Sequence, residues 1–291
     1  SGAAPKQITV LTGLSGNGKS TVLANMILGL VSQGRKVLYG SWEQESDMSL
    51  RALVGIDIGF TRDAIKMGTL TPEELRAFYD RTDELVQQIK FFDVPFKREL
   101  NATRDRRNNN LNGQNLDMIH GYIAATGCDV FVADLWRAAM DQYDPNDEEA
   151  ALDRQLGMAK ETNTHHILVH QQNIKKGEAG SSDNRPTRQD TKGSSKWVEV
   201  ADTMIGTYIP GVHKTVDKQT IELIILKQRE GNWPLAVEFD WDGQMGKLTG
   251  GRGIEYQRPG EMTQLDKWGL GAEGPKGDKR VEPGGRRKRA N

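Results

Sequence analysis

Gly13-Leu14-Ser15-Gly16-Asn17-Gly18-Lys19-Ser20-Thr21 decides how this chain is read. It satisfies G-x-x-x-x-G-K-[ST] at every fixed position. It also stands where the pattern has meaning: after a β-rich run, Ile8–Thr12, and at the head of an apolar run with helical spacing, Thr21–Gln33. Glycines let the backbone curl until its N–H groups face a phosphate, and a helix N-terminus adds its dipole. The nucleotide contacts expected here are Gly13, Ser15, Gly16, Asn17, Gly18, Lys19, Ser20 and Thr21. Lys19 reaches the β- and γ-phosphates, and the Ser20 hydroxyl holds Mg²⁺.

Outward from this loop, strand-like and helix-like runs alternate. Lys36–Tyr39, Lys90–Val94, Asp129–Ala133 and His166–His170 read as strands. Asp47–Ile58, Pro72–Gln88, Leu116–Thr126 and Glu148–Thr162 read as helices, with Arg104–Asn115 as a polar loop. Strands separated by helices predict a mostly parallel sheet flanked by helices. From Ala201 the texture changes to short strands, Met204–Ile209, Thr220–Leu226, Leu235–Phe239 and Lys247–Thr249, with Asp242-Gly243 as a hairpin signal. The fold class is therefore α/β, a P-loop NTPase with an antiparallel C-terminal extension.

Three polar residues stand at strand ends. Asp134 follows the apolar Val130–Ala133, where a carboxylate completes a Mg²⁺ site; its bland alternative is a strand cap. Glu43, after the second strand, lies beside the phosphate loop and can deprotonate an attacking water, or else belongs to a solvated acidic turn with Glu45 and Asp47. Gln171 can hydrogen-bond a γ-phosphate, or is simply a polar strand end. His170 beside it reads as a buried histidine.

Composition bounds the setting. The 291 residues carry 39 Lys and Arg against 40 Asp and Glu, so the net charge of −1 announces no nucleic-acid partner, and any such contact must come from local patches. One cysteine, Cys128, excludes an internal disulfide and a cysteine-cluster zinc site, which implies a reducing, cytoplasmic compartment. No run is apolar enough for a membrane span, and no secretory leader is visible. The chain divides into a folded domain, residues 1–262, and a Gly/Pro/basic tail, residues 263–291; within it residues 271–291 carry +4, leaving −5 for the first 270. The tail reads as a disordered solubilising segment or a non-specific arm.

Taken together, Gly13–Thr21, Ser41-Trp42-Glu43-Gln44, Val130–Leu135, Leu168–Asn173 and Ile225–Gly231 resemble the RecA-type motor domain of DnaB-like replicative helicases, and the phage primase-helicase and Twinkle branch most. The likeness runs from about Gln7 to about Leu248. It implies a homo-oligomeric ring, a hexamer, that hydrolyses ATP or another NTP or dNTP with Mg²⁺ and moves along single-stranded DNA, with a primase or polymerase as partner. It implies that Lys19 and Ser20 bind phosphate and Mg²⁺, that Ser20 and Asp134 hold the metal, that Glu43 is the general base and that Gln171 senses the γ-phosphate. Arg229 matches an arginine finger inserted into the next subunit's site, with Lys227 as its companion. It also places a DNA-binding loop at Ile174–Lys196, whose basic residues are Lys175, Lys176, Arg185, Arg188, Lys192 and Lys196; a plain surface loop is the rival reading. Trp136–Asp147 matches a second central loop. The phosphate strand starts within ten residues of Ser1, where the family usually has a linker helix and often a further N-terminal domain, so the expectation is an excised motor domain or a short phage protein.

A RecA/RadA-type recombinase shares the fold but carries an N-terminal oligomerisation segment. A nucleotide-switched DNA-binding assembly factor has no use for both Glu43 and Arg229. A small-molecule kinase could use Arg104, Arg106 and Arg107 as a lid, but a water-activating Glu43 would waste its nucleotide.

Overall fold

The first strand, β1 (Ile8–Gly13), is buried along its whole length, because parallel strands pair with it on both sides. The computed structural model describes residues 3–92, 111–139, 148–172, 185–190, 195–210, 219–230 and 235–254. They belong to one unit, Ser1–Tyr256. Their strands are β1, β2 (Val37–Ser41), β3 (Ile89–Phe91), β4 (Val130–Asp134), β5 (His165–Gln171), β6 (Thr203–Tyr208), β7 (Thr220–Gln228), β8 (Leu235–Asp242) and β9 (Lys247–Ile254). The order across the sheet is β3-β2-β4-β5-β1-β6-β7-β8-β9; pairing is parallel from β3 to β6 and antiparallel from there on. The expected parallel sheet with an antiparallel extension is what forms.

Alternate residues of the central strands feed two apolar layers. Val10, Phe131 and Leu168 pack on one face with α5 (Leu111–Thr126), α7 (Glu148–Glu161) and α8 (Lys196–Val200). Leu11, Val130 and Ile167 pack on the other with α1 (Lys19–Ser32), α2 (Ser46–Ile58) and α4 (Pro72–Gln88). Burial on both faces is why these strands read as nearly continuous apolar runs. Helix α4 starts as its sequence requires: Glu74 N–H donates to Thr71 Oγ1 (3.2 Å), and Thr71 N–H donates to Glu74 Oε2 (2.8 Å). Among the described residues no helix is long and apolar enough to cross a membrane.

Several local expectations shift. A short helix, α3 (Arg62–Met67), is added between α2 and α4, capped by Thr61 Oγ1 on Ala64 N–H (3.2 Å) and ended by left-handed Gly68 (φ 64°). Helix α5 begins at Leu111, five residues earlier than expected; its Asn-rich start holds Gly113 but no proline to stop it. Strand β3 is shorter than Lys90–Val94. The hairpin after β8 is longer than a two-residue Asp-Gly turn. The Asp242 carboxylate accepts from the N–H groups of Gln244 (2.9 Å) and Met245 (3.0 Å), and Gly246, not Gly243, takes the left-handed position (φ 77°). Residues 104–110, 140–147 and 255–291, the tail among them, lie outside the described residues. Trp136–Ala139, expected as loop, is a short helix, α6.

Beneath α7, His166 is wholly buried. Its Nδ1 meets the Gln155 amide at 2.8 Å and its Nε2 meets Thr164 Oγ1 at 2.8 Å. Burial, with lesser contributions from His165 and His120, pushes its pKa down to about 3 from the ordinary 6.5. As pH falls below 6.5 the unfolded chain therefore takes up a proton that the folded chain refuses, and stability is lost through that window. Asp134, pushed up to about 6, acts in the opposite sense between 3.8 and 6, since there the folded state holds the extra proton. Denaturant titration should show His166 costing up to about 1.4 kcal/mol per pH unit below its unfolded pKa. His166→Gln should flatten the acid slope, and Asp134→Asn should steepen it.

Candidate nucleotide site

The phosphate loop leaves β1 at its C-terminal end, the side on which open α/β sheets bind ligands. A side chain at Gly13 would place its Cβ 2.3 Å from Thr207 Oγ1 on β6, so only glycine lets β1 end here. Gly18, the N-cap of α1, is left-handed (φ 75°), a conformation that L side chains rarely adopt. Lys19 arches over the loop, donating to the carbonyls of Gly13 (3.1 Å) and Leu14 (3.0 Å). Burial lowers its pKa, while the charges of Glu43 and Asp134 act to raise it.

Strand β4 brings Asp134 alongside, in register with Ser41. Asp134 is 5% exposed; Tyr39 donates its hydroxyl to Oδ2 (3.2 Å), and Oδ1 has no hydrogen-bond partner among the described residues. Burial first, and then the Glu43 charge, raise its pKa. A buried carboxylate oxygen with an open coordination position, in one cavity with the Ser20 hydroxyl, suits a hard cation such as Mg²⁺. That cavity, of about 540 Å³, is also lined by Thr21, Tyr39, Arg51 and Arg62. Among the described residues no cluster of three His, Cys, Asp or Glu could hold a metal by itself, so such a cation would share its ligands with phosphate.

Glu43 is exposed and sits beside Asp134, because the N–H groups of Trp42 (2.7 Å) and Glu43 (3.4 Å) both donate to the Asp134 carbonyl. Gln171 ends β5 opposite Gly13, and the Gln172 N–H donates to the Gly13 carbonyl (3.2 Å). Lys19, Ser20, Glu43, Asp134 and Gln171 thus gather at one end of the sheet. Tyr39 was not anticipated; its position two residues before Ser41 on β2 was the available signal.

Lys227 and Arg229 lie at the other end. Strand β7 runs antiparallel to β6, so its last residues adjoin the start of β6. Arg229 pairs with Asp202 (3.0 Å) and donates to the Glu199 carbonyl (2.9 Å), and Asp202 N–H in turn donates to the Ile8 carbonyl (2.8 Å). From Ile8 to Gly13 is five residues of strand, roughly 16 Å, so Arg229 is remote from its own phosphate loop. Lys227 Nζ donates to the carbonyls of Val198 (2.5 Å) and Ala201 (2.6 Å), where it caps α8. Burial and then the Arg229 charge lower its pKa.

The segment Ile174–Lys196 is not structureless throughout. Arg185 forms a two-pronged pair with the buried Glu222 (2.7 and 2.8 Å) and lies over the Tyr208 ring. Pro186 sits on Gly206, where a Cβ would come within 2.5 Å of it. Arg188 donates to the Leu226 carbonyl from a short 3-10 turn, Arg188–Asp190. Lys196 pairs with Asp153 (2.9 Å) and Glu199 (3.0 Å). These three basic residues fasten the segment to the body of the protein. Lys175, Lys176 and Lys192 lie outside the described residues.

The sequence matches the DnaB-like helicase C terminal domain over residues 1–249. The chain belongs to the DnaB-like helicase family. Among solved structures it is similar to the ATPase domain of G40P, with a TM-score of 0.69, 16% identity, and 84% of each chain covered. A DnaB-like replicative helicase solved with attention to its interactions with primase gives the same TM-score and identity over 84% of this chain, which spans 57% of that one. At this identity the likeness speaks for the fold. No curated protein matches. The chain thus carries a DnaB-like helicase domain on the mixed sheet described above.

Two outcomes are expected. In a nucleotide-binding titration Lys19→Ala should weaken binding and lower turnover by at least about 100-fold; ordinary turnover would move the phosphates elsewhere. Arg185→Ala strands the buried Glu222 charge and should cost about 3–5 kcal/mol in urea unfolding, whereas Arg185→Met with Glu222→Leu should recover most of that loss.

Proposed function

We propose that the chain is a Mg²⁺-dependent NTPase, with ATP or another NTP or dNTP as substrate, working in a homo-oligomeric ring, a hexamer, that translocates on single-stranded DNA. The observation that carries this reading is the position of Arg229 at the end of the sheet away from its own phosphate loop. An arginine there is of use to hydrolysis only in a neighbour's site.

The reaction assigns each residue a task. Lys19 exchanges its two loop carbonyls for phosphate oxygens, and backbone N–H groups from Ser15 to Thr21 orient the chain of phosphates. Ser20 and Asp134 would hold Mg²⁺. When bound, the cation neutralises charge on the β- and γ-phosphate oxygens. Glu43 orients a water in line with the γ-phosphorus and takes its proton, and Gln171 hydrogen-bonds the γ-phosphate until it leaves. Arg229 of the adjoining protomer neutralises the charge that develops as the phosphoryl group departs. Lys227 keeps that arginine's support in place by capping α8.

For DNA we assign backbone contacts to Lys175, Lys176 and Lys192, with Arg185, Arg188 and Lys196 fastening the segment that carries them. A primase or polymerase partner, a cytoplasmic setting and a separate tail at residues 263–291 belong to the same proposal.

Hydrolysis assays on mixtures test the ring. Arg229→Ala and Glu43→Gln should each lose DNA-stimulated hydrolysis by about 1,000-fold or more. Mixing them should restore part of it, because one interface in the mixed ring then pairs an intact Arg229 with an intact Glu43. No recovery at any ratio would refute a finger acting between subunits.

A further inference from the structure

Helix α8 supports Arg229 at one end of the sheet, yet its Trp197 side chain reaches the strand ends beside the nucleotide site. Trp197 is fully buried. Its ring stacks on His170, with centroids 4.1 Å apart and an angle of 23°, and meets Trp136 edge to face at 5.0 Å. His170 immediately precedes Gln171, and Trp136 follows Asp134 by two residues. The residues assigned to sensing the γ-phosphate and holding the cation are therefore each joined by a short, stiff stretch of backbone to one indole. From that indole, α8 leads straight to the finger. The carbonyls of Val198, Glu199 and Ala201 accept from Lys227, the Glu199 carbonyl accepts from Arg229, and Asp202 pairs with Arg229.

We propose that Trp197 is a positioning residue that couples a protomer's own nucleotide state to the placement of its Arg229 in the neighbouring site. The physical basis is packing. A stacked ring in a close-packed interior has no void into which to yield, so a displacement of His170 or Trp136 must pass to α8. Helix α8 is five residues long and bonded to both Lys227 and Arg229, so a shift or tilt of the helix moves the guanidinium with it. Sequential firing around a ring requires such a link, since each site must learn from the protomer that donates its finger. The inference rests on the reading of Arg229 as a finger acting between subunits.

Steady-state hydrolysis with single-stranded DNA, measured against nucleotide concentration, tests it with three variants. Trp197→Leu and His170→Leu remove the stack from either side, and Trp197→Phe retains an aromatic face. The first two should lower DNA-stimulated kcat by about tenfold and bring the Hill coefficient toward one, with KM within about twofold of the parent. Trp197→Phe should restore cooperativity. If Trp197→Leu does not fold, His170→Leu carries the test. Parent-like cooperativity in a folded Leu variant overturns the inference. So does a loss that is equal in Trp197→Phe and tracks thermal stability, for that is a purely structural role. The mixture of Arg229→Ala with Glu43→Gln separates the two readings: no rescue there fails the finger itself, whereas rescue with intact cooperativity in Trp197→Leu fails the coupling alone.

Discussion

Every part of the site depends on the register of β1 between β5 and β6. That register sets Gly13 opposite Gln171 on one side and against Thr207 on the other, with only 2.3 Å between a would-be Cβ and the Thr207 hydroxyl. The strand must end where it does because nothing larger than hydrogen fits. The loop that follows is then aimed between the ends of β5 and β4, which carry Gln171 and Asp134. A slip of one residue would turn every buried side chain of β1 to the other face and carry the loop away from both.

The antiparallel extension solves a different problem. A parallel strand delivers its C-terminal residue to the nucleotide end of the sheet, where Glu43, Asp134 and Gln171 already stand. An arginine proposed to act in another protomer's site has to be delivered elsewhere. Reversal at β7 does so: Thr203 pairs with Gln228, and Arg229 emerges beside the start of β1. The pair of Arg185 with the buried Glu222 then ties the segment after β5 to the beginning of that strand. It spans the change from parallel to antiparallel pairing.

Much of this was legible in the sequence, and what was not had a physical reason. The central strands announced themselves because burial on both faces demands uninterrupted apolar runs such as Val130–Ala133. Helix α4 was legible from Thr71, Pro72 and Glu74, whose chemistry acts locally. Helix α8 was hidden, since five residues are too few to show a helical period, even with Trp197, Val198 and Val200 apolar. Arg185, Arg188 and Lys196 read as part of one DNA-binding group with Lys175, Lys176 and Lys192, because a charge in a polar run carries no sign of a distant partner. That sign lay on the other strand. Glu222, set among Ile221, Leu223 and Ile224, is a carboxylate in an apolar strand, and a carboxylate buried there requires a cation.

The electrostatics of the nucleotide end point the same way as its geometry. Burial makes the charged forms of both Lys19 and Asp134 costly, which lowers the pKa of the one and raises that of the other, and Glu43 adds a second negative charge near Asp134. Paired directly, the ammonium and the carboxylate would satisfy each other and leave little for a ligand. Instead Lys19 spends its donors on the weaker carbonyls of Gly13 and Leu14, and Asp134 keeps one oxygen uncommitted. Folding tolerates that cost because β4 and α1 are held by their apolar faces. A triphosphate with its cation would supply each of the two groups with the partner it lacks, so binding would draw on interaction energy that the folded protein has left unused.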